Sequence, residues 1–143
     1  MSGKCFVDTN ILVYAHDRTA GRKHERARET VETLWANRNG VLSTQVLQEL
    51  CINVRRKILE PLSIREAQDL VQDYMAWEVV VNTPASVLKA LEIEERYRLS
   101  FWDALIVHAA EASGAAILYS EDLAPGQRYG AVEVISPLLE PAL

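Results

Sequence analysis

The 143-residue chain, 49% hydrophobic and 24% charged, is of a size to fold as one domain over residues 1–143 without disulfide staples, and its composition excludes a disordered or collagen-like protein. No apolar run approaches the roughly 18 residues that a membrane-spanning helix needs, and Ser2, Gly3 and Lys4 lead straight into the first apolar segment, so a soluble protein without a secretory leader is expected. The net charge of −5 argues against a DNA-coating protein, but residues 1–57 carry ten Lys/Arg against six Asp/Glu and residues 58–143 five against fourteen, so the N-terminal part could face a polyanion.

Cys5, Phe6 and Val7 read as a short buried strand, which ends abruptly in Asp8, Thr9 and Asn10. Thr9 or Asn10 can cap a helix begun by Ile11, Leu12, Val13 and Tyr14, which puts Asp8 in a strand-to-helix crevice of the kind where open parallel sheets bind ligands. Asp8 could equally just end the strand and bond local N–H groups. A basic loop, Asp17 to Lys23, leads into a helix with Ala27, Val31, Leu34 and Trp35 on one face, ended by the segment Asn37 to Gly40. Val41-Leu42 is the second strand. Ser43 or Thr44 then caps a helix whose stripe is Val46, Leu47, Leu50, Cys51, Val54 and Ile58, with Glu49 at the border of that stripe. Cys5 and Cys51 lie in apolar segments without CxxC spacing and read as reduced core thiols, hence a cytoplasmic protein.

Pro61 stops that helix, and Ser63-Ile64-Arg65-Glu66 is a capping box for the next, whose buried face is Ile64, Ala67, Leu70, Val71 and Tyr74. Trp77 to Val81 is the third strand, and Thr83-Pro84 opens a helix through about Arg96. Ser100 to Asp103 starts another helix, with Leu105, His108, Ala109 and Ala112 inward and Gly114 at its C-terminal cap. Ala116 to Tyr119 is the fourth strand, followed by Ser120, Glu121 and Asp122; a Pro125-Gly126 turn separates it from a last edge strand, Val132 to Ile135. Strands alternating with helices give an α/β class with a mostly parallel sheet.

In such a sheet the C-terminal ends of the strands share an edge with the N-terminal ends of the returning helices. That topology brings Asp8, Glu49, Asp103 and either Glu121 or Asp122 to one edge. Each has a plainer reading: Asp103 completes a Ser-x-x-Asp cap, Glu49 is a solvated helix residue, and Asp122 forms a turn. Two carboxylates ~4 Å apart repel by about 4 kcal/mol at an effective dielectric near 20, so acids that do converge need protons or a cation. Oxygen ligands without Cys or His favour Mg2+ or Mn2+, and a water activated by such an ion is suited to phosphodiester hydrolysis.

Taken in order, Val7-Asp8-Thr9-Asn10, Thr44 to Leu50 around Glu49, Ser100 to Ile106 around Asp103, and Tyr119 to Leu123 around Asp122 resemble the PIN domain and, within it, the VapC-type toxins of toxin–antitoxin pairs. The resemblance covers nearly the whole chain. It implies a three-layer α/β/α fold with a parallel five-stranded sheet, a Mg2+ or Mn2+ site, endoribonuclease activity, a homodimer and inhibition by a cognate antitoxin. Carried across, Asp8 and Asp103 would be the principal metal ligands, Glu49 and Asp122 would complete the site, Thr9 and Asn10 would orient Asp8, and Ser120 would match the hydroxyl two residues before the last acid. It also favours Asp122 over Glu121. The chain departs from the pattern after Asp122, where Leu123-Ala124-Pro125-Gly126 replaces a second acid and a Phe.

Arg18, Arg22, Lys23, Arg26 and Arg28 are the candidate phosphate contacts for an RNA substrate, although Glu25 and Glu29 make the same stretch an ordinary solvated helix face. His16, His24 and His108 form no spaced pair for metal-free catalysis, and His108 reads as a core residue. No phosphate-binding glycine loop and no nucleophile elbow is present. The rival from another class is a non-catalytic, metal-binding regulatory module resembling a signalling receiver, which would want paired acids after the first strand and a Lys after the last.

Overall fold

The computed structural model describes residues 3–139; the expected lead of Ser2 into the first strand lies outside the described residues. In chain order the elements are β1 (Cys5–Val7), α1 (Thr9–His16), a 3-10 turn (Arg18–Ala20), α2 (Arg22–Asn37), β2 (Gly40–Ser43), α3 (Thr44–Arg56), α4 (Ile64–Tyr74), β3 (Glu78–Val80), α5 (Pro84–Tyr97), α6 (Phe101–Ser113), β4 (Ile117–Tyr119), β5 (Arg128–Tyr129) and β6 (Val132–Ile135). The strands form one sheet in the order β3-β2-β1-β4-β6-β5, parallel throughout except for β5. Helices flank it in an α/β/α arrangement: α1 packs on α2 and α3, α3 on α4, and α5 on α6, which lies along β2, β3 and β4.

The chain steps outward from β1 to β2 and β3, then returns to place β4 on the other side of β1. The switch point therefore falls between β1 and β4, where the helices that follow or precede neighbouring strands diverge and open a crevice at the strands' C-terminal ends. Val7 pairs with Tyr119 at that end, so Asp8 and Ser120 leave the sheet side by side.

The sheet has six strands where five were expected. β5 is only two residues long, bracketed by Gly126 and Gly130 at positive φ, and a strand that short carries no alternation to read. It covers β6, which is thus not an edge strand; Val132 and Val134 are fully buried. The edges are β5 and, on the opposite side, β3, so Val79 and Val80 are only half-buried and Val81 lies exposed beyond β3.

Most caps form as their sequences dictate. Ser63 and Glu66 make a reciprocal capping box, Ser43 and Ser100 cap α3 and α6, and Gly114 takes the left-handed conformation (φ 77°) that ends α6. At α1 the cap is Asp8 itself rather than Thr9 or Asn10. Two side chains assigned inward, Ile64 and Ala112, are exposed, and Leu47, Leu70, Val71 and His108 are only half-buried. Trp35 is partly exposed yet lies against Tyr74 and Trp77. Both cysteines are free; Cys5 is buried, while Cys51 is half-buried at the border of its stripe rather than in the core. Among the described residues no helix is long and apolar enough to cross a membrane.

Candidate active site

Asp8 follows a strand buried on both faces, so its carboxylate enters the molecule with the backbone and is itself buried. Its N–H donates to the Tyr119 carbonyl at 2.9 Å, which extends the β1–β4 ladder by one residue. Oδ1 accepts the Thr9 N–H at 2.7 Å, and Oδ2 accepts the hydroxyl of the fully buried Ser120 at 2.9 Å. These two donors do not offset the loss of water. Burial raises the Asp8 pKa from 3.8 to about 7, and the charges of Asp122 and Asp103 press it further in the same direction.

Glu49 is gripped at both oxygens. Thr9 Oγ1 donates to Oε1 at 2.6 Å, and Gln45 Nε2 approaches Oε2 at 3.4 Å while donating to the Trp102 carbonyl at 3.2 Å. Gln45 thereby ties the first turn of α3 to the residue before Asp103. Asp103, in the first turn of α6, is half-buried, and its N–H is capped by Ser100 Oγ at 3.1 Å. Asp122 lies at the open mouth, where Asn10 Nδ2 donates to it at 2.9 Å. Partial burial raises its pKa, with Asp103 and Glu121 adding to the shift.

All four sequence-predicted acids thus lie on the C-terminal edge of the sheet, three of them within electrostatic reach of one another and Glu49 joined to Asp8 through Thr9. Among the described residues, no three His, Cys, Asp or Glu already stand as a closed cage for one ion. The donor chemistry nonetheless fits a hard divalent cation. It is all oxygen, it includes a buried carboxylate that resists ionising alone, and the buried Oε1 of Gln45, whose Nε2 approaches Glu49, lacks a hydrogen-bonding partner.

Residues 5–127 match the PIN domain. The chain belongs to the PIN domain family. No curated protein matches it by sequence. Among solved structures similar to this PIN domain is VapC20 of Mycobacterium tuberculosis, described as a sarcin–ricin loop cleaving toxin. It has 22% identity and a TM-score of 0.65, over 83% of this chain and 90% of that one. A toxin–antitoxin complex from Klebsiella pneumoniae gives 16% identity and a TM-score of 0.69 over 94% and 98%. VapBC2 from Rickettsia felis, bound to a DNA fragment from its promoter, gives 20% and 0.64 over 92% and 97%. At these identities the likeness is one of fold.

The four acids all fall inside the matched PIN span. Glu121, the competitor of Asp122, is engaged elsewhere: Tyr14 Oη donates to its Oε1 at 3.0 Å and Lys23 Nζ to its Oε2 at 2.7 Å. Lys23 is thereby linked to the acid edge. Arg28 pairs with Glu32 at 3.0 Å on its own helix, Arg26 reaches the Leu139 carbonyl, and Arg22 opens α2. Arg18 and Arg28 line a separate cavity of about 670 Å³ with His16, His24, Trp35 and Tyr74. His108, its pKa lowered by burial, borders another of about 700 Å³ between α5 and α6.

Sequence reading passed over Gln45 and Tyr14. A Gln in the second position of a helix reads as solvated, and only the register of α3 against α6 shows it buried at 4% exposure. Tyr14 reads as part of an apolar run. Its hydroxyl becomes significant once the loop after β4 brings Glu121 to it.

Proposed function

We propose that this PIN-domain protein is a Mg2+- or Mn2+-dependent endoribonuclease and the toxin of a type II toxin–antitoxin pair, formed by residues 1–143 as a single domain. The observation that carries the reading is the buried Asp8, whose pKa is raised to about 7 beside Asp103 and Asp122, so that it ionises fully at neutral pH only when a cation joins them. Asp8 and Asp103 would be the main ligands, with Glu49 and Asp122 completing the shell. When bound, the ion would neutralise the acids, activate water and stabilise charge on the scissile phosphate.

The remaining work falls to the chain. Ser120 and the Thr9 N–H fix the two oxygens of Asp8, the Thr9 hydroxyl and Gln45 fix Glu49, and Asn10 holds Asp122 at the mouth. The crevice stays open on the Asp122 side, where a phosphodiester can enter, and Lys23 with its neighbours Arg18, Arg22, Arg26 and Arg28 would meet the phosphates.

The toxin–antitoxin complexes among the structural neighbours support a cognate antitoxin as partner, and the unpaired thiols suit a cytoplasmic location. Exposed Val87, Leu88 and Leu91 on α5 suit a homodimer contact, which sedimentation would reveal.

The test is cleavage of a labelled RNA with Mn2+ or Mg2+. Activity should vanish in EDTA and fall by about 10³-fold in Asp8→Asn, an uncharged replacement of the same shape. Cleavage that persists in EDTA sinks the metal mechanism. Metal binding with no cleavage of RNA or DNA favours the regulatory module instead.

A further inference from the structure

Trp102 is the second residue of α6, directly before Asp103, and the residue is 61% exposed. A lone exposed apolar side chain needs no explanation, so exposure by itself carries nothing. The way this one is held does. The Phe101 ring braces it edge-on, with centroids 5.1 Å apart at 82°, and its backbone carbonyl is fixed by Gln45, the same buried side chain that approaches Glu49. The backbone of Trp102 is thus fixed by the α3 side chain that approaches Glu49, while its own side chain is left open to solvent.

The charge of the region adds a second line of reasoning. Residues 58–143, which supply Asp103 and Asp122, carry five Lys/Arg against fourteen Asp/Glu. α6 itself carries no Lys or Arg, and the cations proposed to meet phosphates all lie between residues 18 and 28, so RNA lying along the start of α6 needs contacts that do not depend on charge. Stacking of a base on an aromatic ring is such a contact, and it tolerates any sequence because every base has a flat face. It is available only to a base outside a duplex.

We propose that Trp102 is a stacking platform for an unpaired nucleobase next to the scissile phosphate; this rests on the ribonuclease reading above. Phe101 limits the motion of the indole, so little side-chain freedom is lost when the base arrives.

The test is steady-state cleavage of a fluorophore- and quencher-labelled single-stranded RNA in Mn2+. Trp102→Ala should raise KM about tenfold while kcat changes less than about threefold, and Trp102→Phe should restore most of the loss. In an RNA carrying one abasic nucleotide at the stacked position, wild type and Trp102→Ala should have the same KM. An unchanged KM in Trp102→Ala, with the wild type active, overturns the platform and leaves the nuclease intact. A shift of Trp102→Ala to a smaller species in sedimentation, with KM restored at high protein concentration, also overturns it, in favour of a protein contact. A wild type that cleaves no RNA ends both readings together.

Discussion

The two ends of the sheet are built on opposite principles. At the N-terminal edge Gly40 opens β2 directly beneath the Trp77 ring, and Trp77, Tyr74 and Trp35 pack tilted or edge-on with centroids 5.1–5.6 Å apart. At the C-terminal edge the buried polar residues include Asp8, Thr9, Gln45 and Ser120, with Thr9 and Ser120 bonded to the Asp8 carboxylate and Gln45 to Glu49. Aromatic contact stabilises the first end. The second end carries an ionisable group out of water, which costs stability in the isolated chain and becomes useful when something cationic binds. Stability and chemistry should therefore respond to different mutations.

The largest effect expected is at Asp8. Its pKa is 3.8 when exposed and about 7 in the fold, so the folded state holds a proton that the unfolded state releases. The resulting stability is full below about pH 4, declines as pH rises, and is gone above about pH 7. A shift of about three units corresponds to about 4 kcal/mol. In EDTA, Asp8→Asn should therefore gain about that much on the wild type between pH 4 and pH 8 in urea unfolding, while its cleavage in Mn2+ falls about 10³-fold. Mn2+ should raise the wild-type Tm at pH 8 and barely move it at pH 5. If the gap between wild type and variant stays constant with pH, the acid end bears no such cost.

Gly40→Ala tests the other end. A Cβ there would lie 2.6–2.8 Å from three Trp77 ring atoms, and that ring is wedged against Trp35 and Tyr74, so it has little freedom to move aside. Overpacking should cost about 1–3 kcal/mol in urea unfolding, with kcat per folded molecule unchanged. A loss of kcat larger than the loss of folded protein would show that the two ends are coupled.

Between these lies Ser120→Ala, which removes the hydroxyl donor from Asp8 Oδ2 inside a buried site. It should cost about 1–2 kcal/mol at pH 8 without metal, where Asp8 ionises, and less at pH 5, where a protonated carboxyl depends less on that donor.

The same contrast explains what could be read from the sequence. The acid edge was legible because strand ends and helix starts are marked by composition: apolar runs stop at Asp8 and Tyr119, and Ser43 and Ser100 are strong caps. Topology then gathers residues such as Asp8 and Asp122, more than a hundred positions apart. What stayed hidden depends on side chains meeting across elements. Gln45 reaching Trp102, and Tyr14 with Lys23 meeting Glu121, follow from helix register and loop shape, which no local pattern encodes. β5 was missed for the opposite reason, since two residues hold too little pattern to recognise.

The smallest effect separates a structural ion pair from a substrate contact. Lys23 Nζ lies 2.7 Å from Glu121 and 5.0 Å from the Tyr14 ring centroid, but half of its side chain is exposed. Such a pair contributes only about 0.5 kcal/mol once solvent screening is counted, so Lys23→Met should leave the urea midpoint almost unchanged. If Lys23 also meets a phosphate, the same substitution should reduce the slope of log affinity against log salt for single-stranded RNA by about 0.7, one phosphate's share. Glu121→Gln, which frees the ammonium but keeps an acceptor for Tyr14, should tighten RNA binding slightly at low salt. A stability loss in Lys23→Met with no change in slope would instead assign Lys23 to the fold, as the strut that keeps Glu121 turned away from Asp122.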